Sequence, residues 1–259
     1  MNKFTVFTKP WKTCTLEQLC ESVKNMGFDG VEYPVRDGYQ IQPSDGPAGI
    51  KQLVKTLGKF GLSLESVAGE IDEKMFAGCG ESGVKIVRIC QNLDKNLGFF
   101  ENIGKIKRTY DAALPYCEKY GVTIGVQMHC GSCISSSAET YILLKDYDPK
   151  YIAAVWDSGH NGLAGTDPCF ALDTIWDMLC MVNFKGAYYR RKTGPEKDEA
   201  AWDTYWTTGP HACGSWREAA DHLKKRGYSG VVCMPAEYSD EQNVEKYIKS
   251  DLAYLKSLF

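Results

Sequence analysis

Short apolar runs rich in β-branched residues alternate along the chain with longer stretches whose apolar positions recur every three or four residues. One junction joins them repeatedly: a helical stretch closes on glycine and a strand-like run follows. Gly27-Phe28-Asp29-Gly30-Val31-Glu32 and Gly227-Tyr228-Ser229-Gly230-Val231-Val232 show it in full, and residues 61–64, 83–87 and 121–124 are shorter forms. Glycine suits the left-handed residue that ends a helix, and an unbroken apolar run suits a strand buried on both faces. The pattern predicts strands at 3–8, 29–33, 62–67, 84–90, 122–128, 151–156, 180–185 and 230–234. Their spacing averages roughly thirty residues, the size of a βαβ unit.

Helix starts agree with this rhythm. Thr15 with Gln18, Ser136 with Glu139 and Ser215 with Glu218 each fit a capping box, in which side chains satisfy otherwise unpaired N–H groups. Leu16, Leu19, Cys20, Val23 and Met26 then share one face of the first helix. Pro115, within the helical stretch 106–120, is expected to kink or interrupt it. Eight such units without a break in composition predict an α/β chain folded as a single (β/α)8 barrel over residues 1–259. An open doubly wound sheet is the alternative, but no G-x-G-x-x-G follows the first strand. The one long irregular segment, 186–214, follows strand seven and is a lid candidate.

Composition narrows the function classes. The 259 residues match the typical barrel length of about 250. A net charge of -3 leaves no basic surplus for nucleic acid. No stretch approaches the roughly 20 apolar residues of a membrane helix, and no export signal opens the chain. Eleven cysteines, an odd number, then read as reduced thiols in a cytoplasmic protein. Cys130 and Cys133 form a C-x-x-C pair without the second pair a structural zinc needs, and without a thioredoxin-like context.

The strands are apolar until they end, and there polar residues collect: Thr8 and Lys9, Glu32 and Arg36, Glu70, Gln91 and Asn92, Gln127 and His129, Asp157 and His160, Asn183 and Lys185, then Glu237. In a barrel these ends converge on the face where sites are built. Asp157 directly follows the apolar 153–156, so its carboxylate needs a cation or strong donors. Glu237 repeats that argument after the last strand, with Pro235 and Ala236 intervening. His129 and His160 are two of only four histidines. Arg190-Arg191-Lys192 reads either as a solvated charge run or as an anion clamp over the barrel mouth. The Ser215 helix N-terminus, preceded by Cys213-Gly214, offers a weak phosphate site.

These residues resemble the xylose-isomerase-like barrel superfamily of sugar-phosphate isomerases and epimerases, which also includes inosose dehydratases and endonuclease IV. The similarity covers essentially the whole chain. It is carried by residues 27–32, 126–129, 227–237 and, most specifically, Trp156-Asp157-Ser158-Gly159-His160. The resemblance implies one divalent metal, Mn²⁺ or Mg²⁺ rather than Zn²⁺, on Glu, Asp, His and Glu from strands five to eight. By position these ligands fall on Gln127, Asp157, Asn183 and Glu237, so two of the four are changed to amides. Weak metal binding or a metal-free site follows from that change.

The family chemistry is proton transfer beside a carbonyl. It implies Glu237, Asp157 and His129 as catalytic candidates, and Glu32, Gln127, His160, Lys185 and Arg190 as groups that bind a carbohydrate or polyol substrate. An isomerase, epimerase or lyase acting on a keto-sugar, sugar phosphate or keto-cyclitol is expected, with a homo-oligomer as an open assembly. A non-catalytic sugar-binding subunit is the alternative reading. An endonuclease IV-like nuclease would need more histidines and a basic surface.

Overall fold

The computed structural model describes residues 2–259. In chain order the elements are β1 (Lys3–Phe7), α1 (Leu16–Met26), β2 (Gly30–Pro34), α2 (Gly46–Lys59), β3 (Ser63–Ala68), α3 (Glu73–Glu81), β4 (Ile86–Cys90), α4 (Phe99–Tyr120), β5 (Thr123–Gln127), α5 (Ser137–Leu144), β6 (Ile152–Asp157), α6 (Ser158–Leu163), α7 (Pro168–Thr174), β7 (Leu179–Asn183), β8 (Gly186–Arg191), β9 (Trp202–Thr207), α8 (Trp216–Lys225), β10 (Val231–Met234) and α9 (Val244–Leu258).

Eight of these strands pair side by side, all parallel, in the closed order β1-β10-β7-β6-β5-β4-β3-β2. All eight predicted strands form, with ends moved by at most two residues. Apolar side chains on the outer faces of the strands pack under the helices and make the larger core, which includes Leu19, Val31, Leu53, Ile124, Trp156 and Leu255. Phe7, Ala68, Ile86, Val155, Met181, Val231 and Cys233 fill the barrel interior. That inner plug closes the barrel, so polar side chains at the strand C-termini stand on an apolar floor.

Local signals behave largely as the sequence suggests. Thr15–Gln18 and Ser136–Glu139 form reciprocal capping boxes, whereas Ser215 accepts the Glu218 N–H without the return bond. Gly27 closes α1 at φ +91°, a conformation that strains any L side chain. Pro115 is a correction. The helix α4 runs unbroken through it, because loss of one N–H in a 22-residue helix leaves the rest of the ladder intact.

The segment after strand seven also differs from expectation. It is not irregular: β8 and β9 form an antiparallel ribbon with Ala187 opposite Trp206 and Arg190 opposite Asp203. Cross-strand pairs hold it together: Tyr188 packs against Tyr205 with ring centroids 5.2 Å apart, and Arg190 pairs with Asp203. A short helical turn over Gly209–His211 then leads back to the barrel.

One buried carboxyl ties the last helix to this region. Asp251 accepts hydrogen bonds from the Gly209 N–H at 3.0 Å and the Tyr238 hydroxyl at 2.9 Å. Burial outweighs both bonds and pushes its pKa up to about 6. A raised carboxyl pKa favours the neutral form in the fold. The associated stability is complete below the unfolded value near 4 and is lost as pH rises through 6. Asp251→Asn mimics the neutral form. It should leave unfolding nearly unchanged near pH 4 and stabilise the protein by about 3 kcal/mol at pH 8, as read by denaturant melts at the two pH values.

Candidate active site

The strand C-termini carry a hydrogen-bonded charge network across the barrel mouth. It starts on β2, where Glu32 is fully buried and takes a two-bond grip from Arg88 of β4: Nε to Oε1 at 2.8 Å and Nη2 to Oε2 at 2.9 Å. Ser66 adds a third donor to Glu32 at 3.1 Å. The remaining Arg88 nitrogen, Nη1, donates to Gln127 Oε1 at 2.7 Å. Because arginine only donates, this bond fixes the Gln127 amide with its nitrogen facing away, and that nitrogen donates to Asp157 Oδ2 at 2.6 Å.

Asp157 ends β6 and caps α6, its Oδ1 accepting the Gly159 and His160 N–H groups at 3.0 Å each. A carboxylate at a helix start is favoured by those otherwise unpaired donors. Burial nevertheless pushes the Asp157 pKa up, against the Lys185 ammonium and these hydrogen bonds.

Lys185 lies two residues past β7 and is held at its backbone. Its N–H donates to Ser158 Oγ at 2.9 Å, and its carbonyl accepts from Ser158 Oγ at 2.8 Å and Trp216 Nε1 at 3.1 Å. Gly159 makes room for it: a Cβ there would sit 2.8 Å from Lys185 Cγ and 3.0 Å from its carbonyl oxygen. The Asp-Ser-Gly-His run is therefore a cradle for the Lys185 stem. Its Nζ reaches Glu237 Oε2 at 2.9 Å and lies 4.1 Å above the Trp206 ring. Burial opposes the ammonium, but Asp157 and Glu237 outweigh it and raise its pKa.

Glu237 follows β10 through Pro235 and Ala236. Ala236 is the one non-glycine residue with positive φ among those described, at 54°, and this strained turn brings Glu237 back over the mouth. Lys9 Nζ binds Glu237 Oε1 at 2.6 Å. Burial would raise the Glu237 pKa, but Lys185 and Lys9 prevail and hold it at about 2.

His129 and His160 flank this network, their ring centroids 4.1 Å apart. His160 Nδ1 accepts the Cys130 N–H at 3.0 Å, so its proton is on Nε2, a fully buried donor with no partner among the described residues. Burial, with Lys185, His129 and Arg88 nearby, lowers the His160 pKa and keeps the ring neutral. His129 Nδ1 donates to the Cys130 carbonyl at 2.9 Å, so Nε2 is the ring nitrogen left to exchange a proton. The amide nitrogen and oxygen of buried Asn183 also lack partners among the described residues. Beside the network lies a cavity of about 750 Å³ lined by Lys9, Trp11, Trp206, Glu237 and Tyr238.

Most of the expected residues thus meet, with three departures. Arg190 lies apart on the exposed ribbon, paired with Asp203 at 3.0 Å. Glu32 has the burial of a structural anion beneath the mouth, with both oxygens engaged by Arg88. The Ser215 helix start abuts α6, where a Cβ on Gly162 would meet the Gly214 nitrogen at 2.7 Å, so it packs against that helix and not in the charge network. Arg88 and Trp206 were not anticipated. A lone arginine inside the apolar run Ile86–Cys90 was the available signal for the first. Cys133 does not join Cys130; its thiol donates to Asn92 Oδ1 at 3.1 Å.

The four positions expected to hold a divalent metal do not fit one. Gln127 spends its oxygen on Arg88 and turns its NH₂ toward Asp157. Both Glu237 oxygens bind lysine ammoniums, and only the Asn183 carbonyl is free. Such a set lacks the open oxygens a hard cation requires. His129, Cys130 and His160 do bring possible ligand atoms within 4.8 Å of one another.

A parallel eight-stranded barrel with its polar cluster at the strand C-termini defines a class of α/β barrels whose chemistry sits at that end. Within it, the chain belongs to the xylose isomerase-like TIM barrel family, whose sequence model matches residues 20–258. Inosose dehydratase of Bacillus licheniformis is 25% identical over 124 residues, covering 46% of this chain and 41% of that protein. Inosose dehydratase of Mesomycoplasma hyopneumoniae strain 7448 is 22% identical over 150 residues, 55% of this chain and 50% of the relative. The match thus spans half or less of these relatives' length. Among solved structures, D-psicose 3-epimerase of Clostridium cellulolyticum H10 superposes with a TM-score of 0.75 at 13% identity, covering 99% of both chains. The E. coli 3-keto-D-glucoside 4-epimerase gives 0.75 at 13% identity, over 99% of this chain and 100% of its own. Among the described residues no helix is long and apolar enough to cross a membrane.

Proposed function

We propose that the protein is a lyase of the dehydratase type, acting on a keto-cyclitol or keto-sugar by removing a proton from the carbon beside the carbonyl. The observation that carries this reading is the inequality of the three candidate bases. Every oxygen of Asp157 and Glu237 already accepts a hydrogen bond, whereas His129 Nε2 accepts none. Imidazole is also the side chain best suited to proton transfer near neutral pH.

One base suits elimination. His129 Nε2 takes the proton, the C–H electron pair forms a C=C bond, and the carbonyl pair moves onto oxygen. The pair then returns and the C–O bond at the β carbon breaks. The departing hydroxide takes the proton from His129 and leaves as water, so atoms and charge balance. The unpartnered His160 Nε2–H and Asn183 amide suit substrate hydroxyls, which supports a polyol. The name inosose dehydratase on the relatives favours the same reaction class.

The test is a panel of inososes, ketohexoses and 3-keto-glycosides followed by NMR. Loss of water from at least one compound is expected. Epimerised or isomerised products without dehydration would replace the lyase assignment, and no conversion across the panel would count against the whole reading.

Binding has its own check. His160→Ala removes a neutral donor that packs against the proposed base at 4.1 Å, while the bond from His129 to the Cys130 carbonyl stays available. It should raise KM about tenfold or more, with a smaller change in kcat, in steady-state kinetics on the converted compound.

A further inference from the structure

We infer that the Lys185 ammonium takes the place of the divalent cation and is the electrophile that stabilises the enolate. This rests on the proton-transfer reading above, and it explains why the expected metal ligands are spent on other partners.

Charge is the first argument. The network contains three anions, Glu32, Glu237 and Asp157, whose two oxygens accept only from N–H donors, and three cations, Arg88, Lys185 and Lys9. It is neutral as it stands, and a divalent ion would leave two positive charges uncompensated at a mostly buried site. The second argument is position. The Lys185 ammonium bonds Glu237 and lies within the electrostatic reach of Asp157, two of the positions that would have held the ion. The third is preorganisation. Three backbone hydrogen bonds and the missing Cβ of Gly159 fix the stem, while Trp206 covers the ammonium at 4.1 Å.

The ammonium has capacity to spare. It can donate three hydrogen bonds and gives one within the protein, to Glu237. The remaining N–H bonds can reach a carbonyl oxygen as it gains charge, which is where a fixed donor accelerates the reaction most. The step is charge stabilisation alone. Lys185 keeps its proton, no bond to it forms or breaks, and no electron is exchanged.

The test has two arms. On the protein alone, wild type is expected to carry Mn²⁺, Mg²⁺ and Zn²⁺ well below one per chain by mass spectrometry after dialysis against each ion. Lys185→Met combined with Gln127→Glu and Asn183→His, which frees the oxygens and restores the ligand types, should then gain one Mn²⁺ per chain. On a converted substrate, wild-type turnover should survive EDTA. Lys185→Met should lose about 10²- to 10³-fold in kcat, with no recovery on adding Mn²⁺. Lys185→Arg, which keeps the charge, should retain more activity, and circular dichroism identifies any variant that fails to fold.

One tightly held ion per wild-type chain, lost together with activity in EDTA, would overturn the inference. Loss of that ion in Cys130→Ser would instead place it on the His129–Cys130–His160 group, which also overturns it. If no panel compound reacts, the functional reading fails while the metal arm still decides whether Lys185 excludes the ion.

Discussion

Replacing His129 with glutamine is expected to lower kcat on the converted substrate by about two to four orders of magnitude while leaving the fold and substrate affinity close to wild type. Glutamine keeps an NH₂ that can donate to the Cys130 carbonyl, as His129 Nδ1 does at 2.9 Å, so the loop 128–133 has little reason to move. What it cannot do is accept and return a proton. Equal falls in kcat and kcat/KM on an unshifted melting curve are the result that assigns the base to His129. A fall of less than tenfold would move that role to Glu237 or Asp157. Glu237 would then have to act despite two ammoniums that hold its pKa at about 2.

Arg88→Ala is expected to be the most damaging single change to stability. It leaves Glu32 buried and ionised with no cation, in a barrel interior whose nearest other residues include Phe7 and Cys233. Removing one partner of a buried ion pair costs about 3–5 kcal/mol, a large part of a domain's net stability. Pairing it with Glu32→Gln should recover much of that loss, since the stranded charge is then gone. Chemical denaturation of the two single variants and the double variant measures the coupling directly. Arg88 also orients Gln127, so the Arg88→Ala protein should be slow even where it remains folded. Additive effects in the cycle would mean that the pair is not coupled as its geometry implies.

The barrel was legible in the chain because its signals are local and repeated. Glycine-terminated helices introduce five of the eight strand-like runs, and each barrel strand appears within two residues of its expected ends. The ribbon β8–β9 was missed because neither Gly186–Arg191 nor Trp202–Thr207 alternates apolar with polar, and the pairing rests on cross-strand contacts such as Tyr188 with Tyr205. Pro115 misled for a related reason: one absent N–H is a weak break in so long a helix.

The site was legible as an inventory but not as a wiring scheme. The sequence puts Gln127, His129, Asp157, His160, Asn183, Lys185 and Glu237 at strand ends, and most of them meet there. It does not say that Glu32 spends its charge on Arg88, or that Arg88 in turn decides which end of the Gln127 amide faces Asp157. Such choices depend on contacts 39 and 56 residues apart, which no local pattern encodes. Arg190 shows the reverse case, a basic run whose partner Asp203 lies only 13 residues away on the same ribbon.

The central claim is that this barrel mouth breaks a C–H bond beside a carbonyl. The most direct measurement uses a substrate from the panel carrying deuterium at that carbon. Turnover slower than that of the unlabelled compound, with a product that has lost the deuterium, is the predicted result. A product that retains the deuterium at that carbon, formed at an unchanged rate, would contradict it.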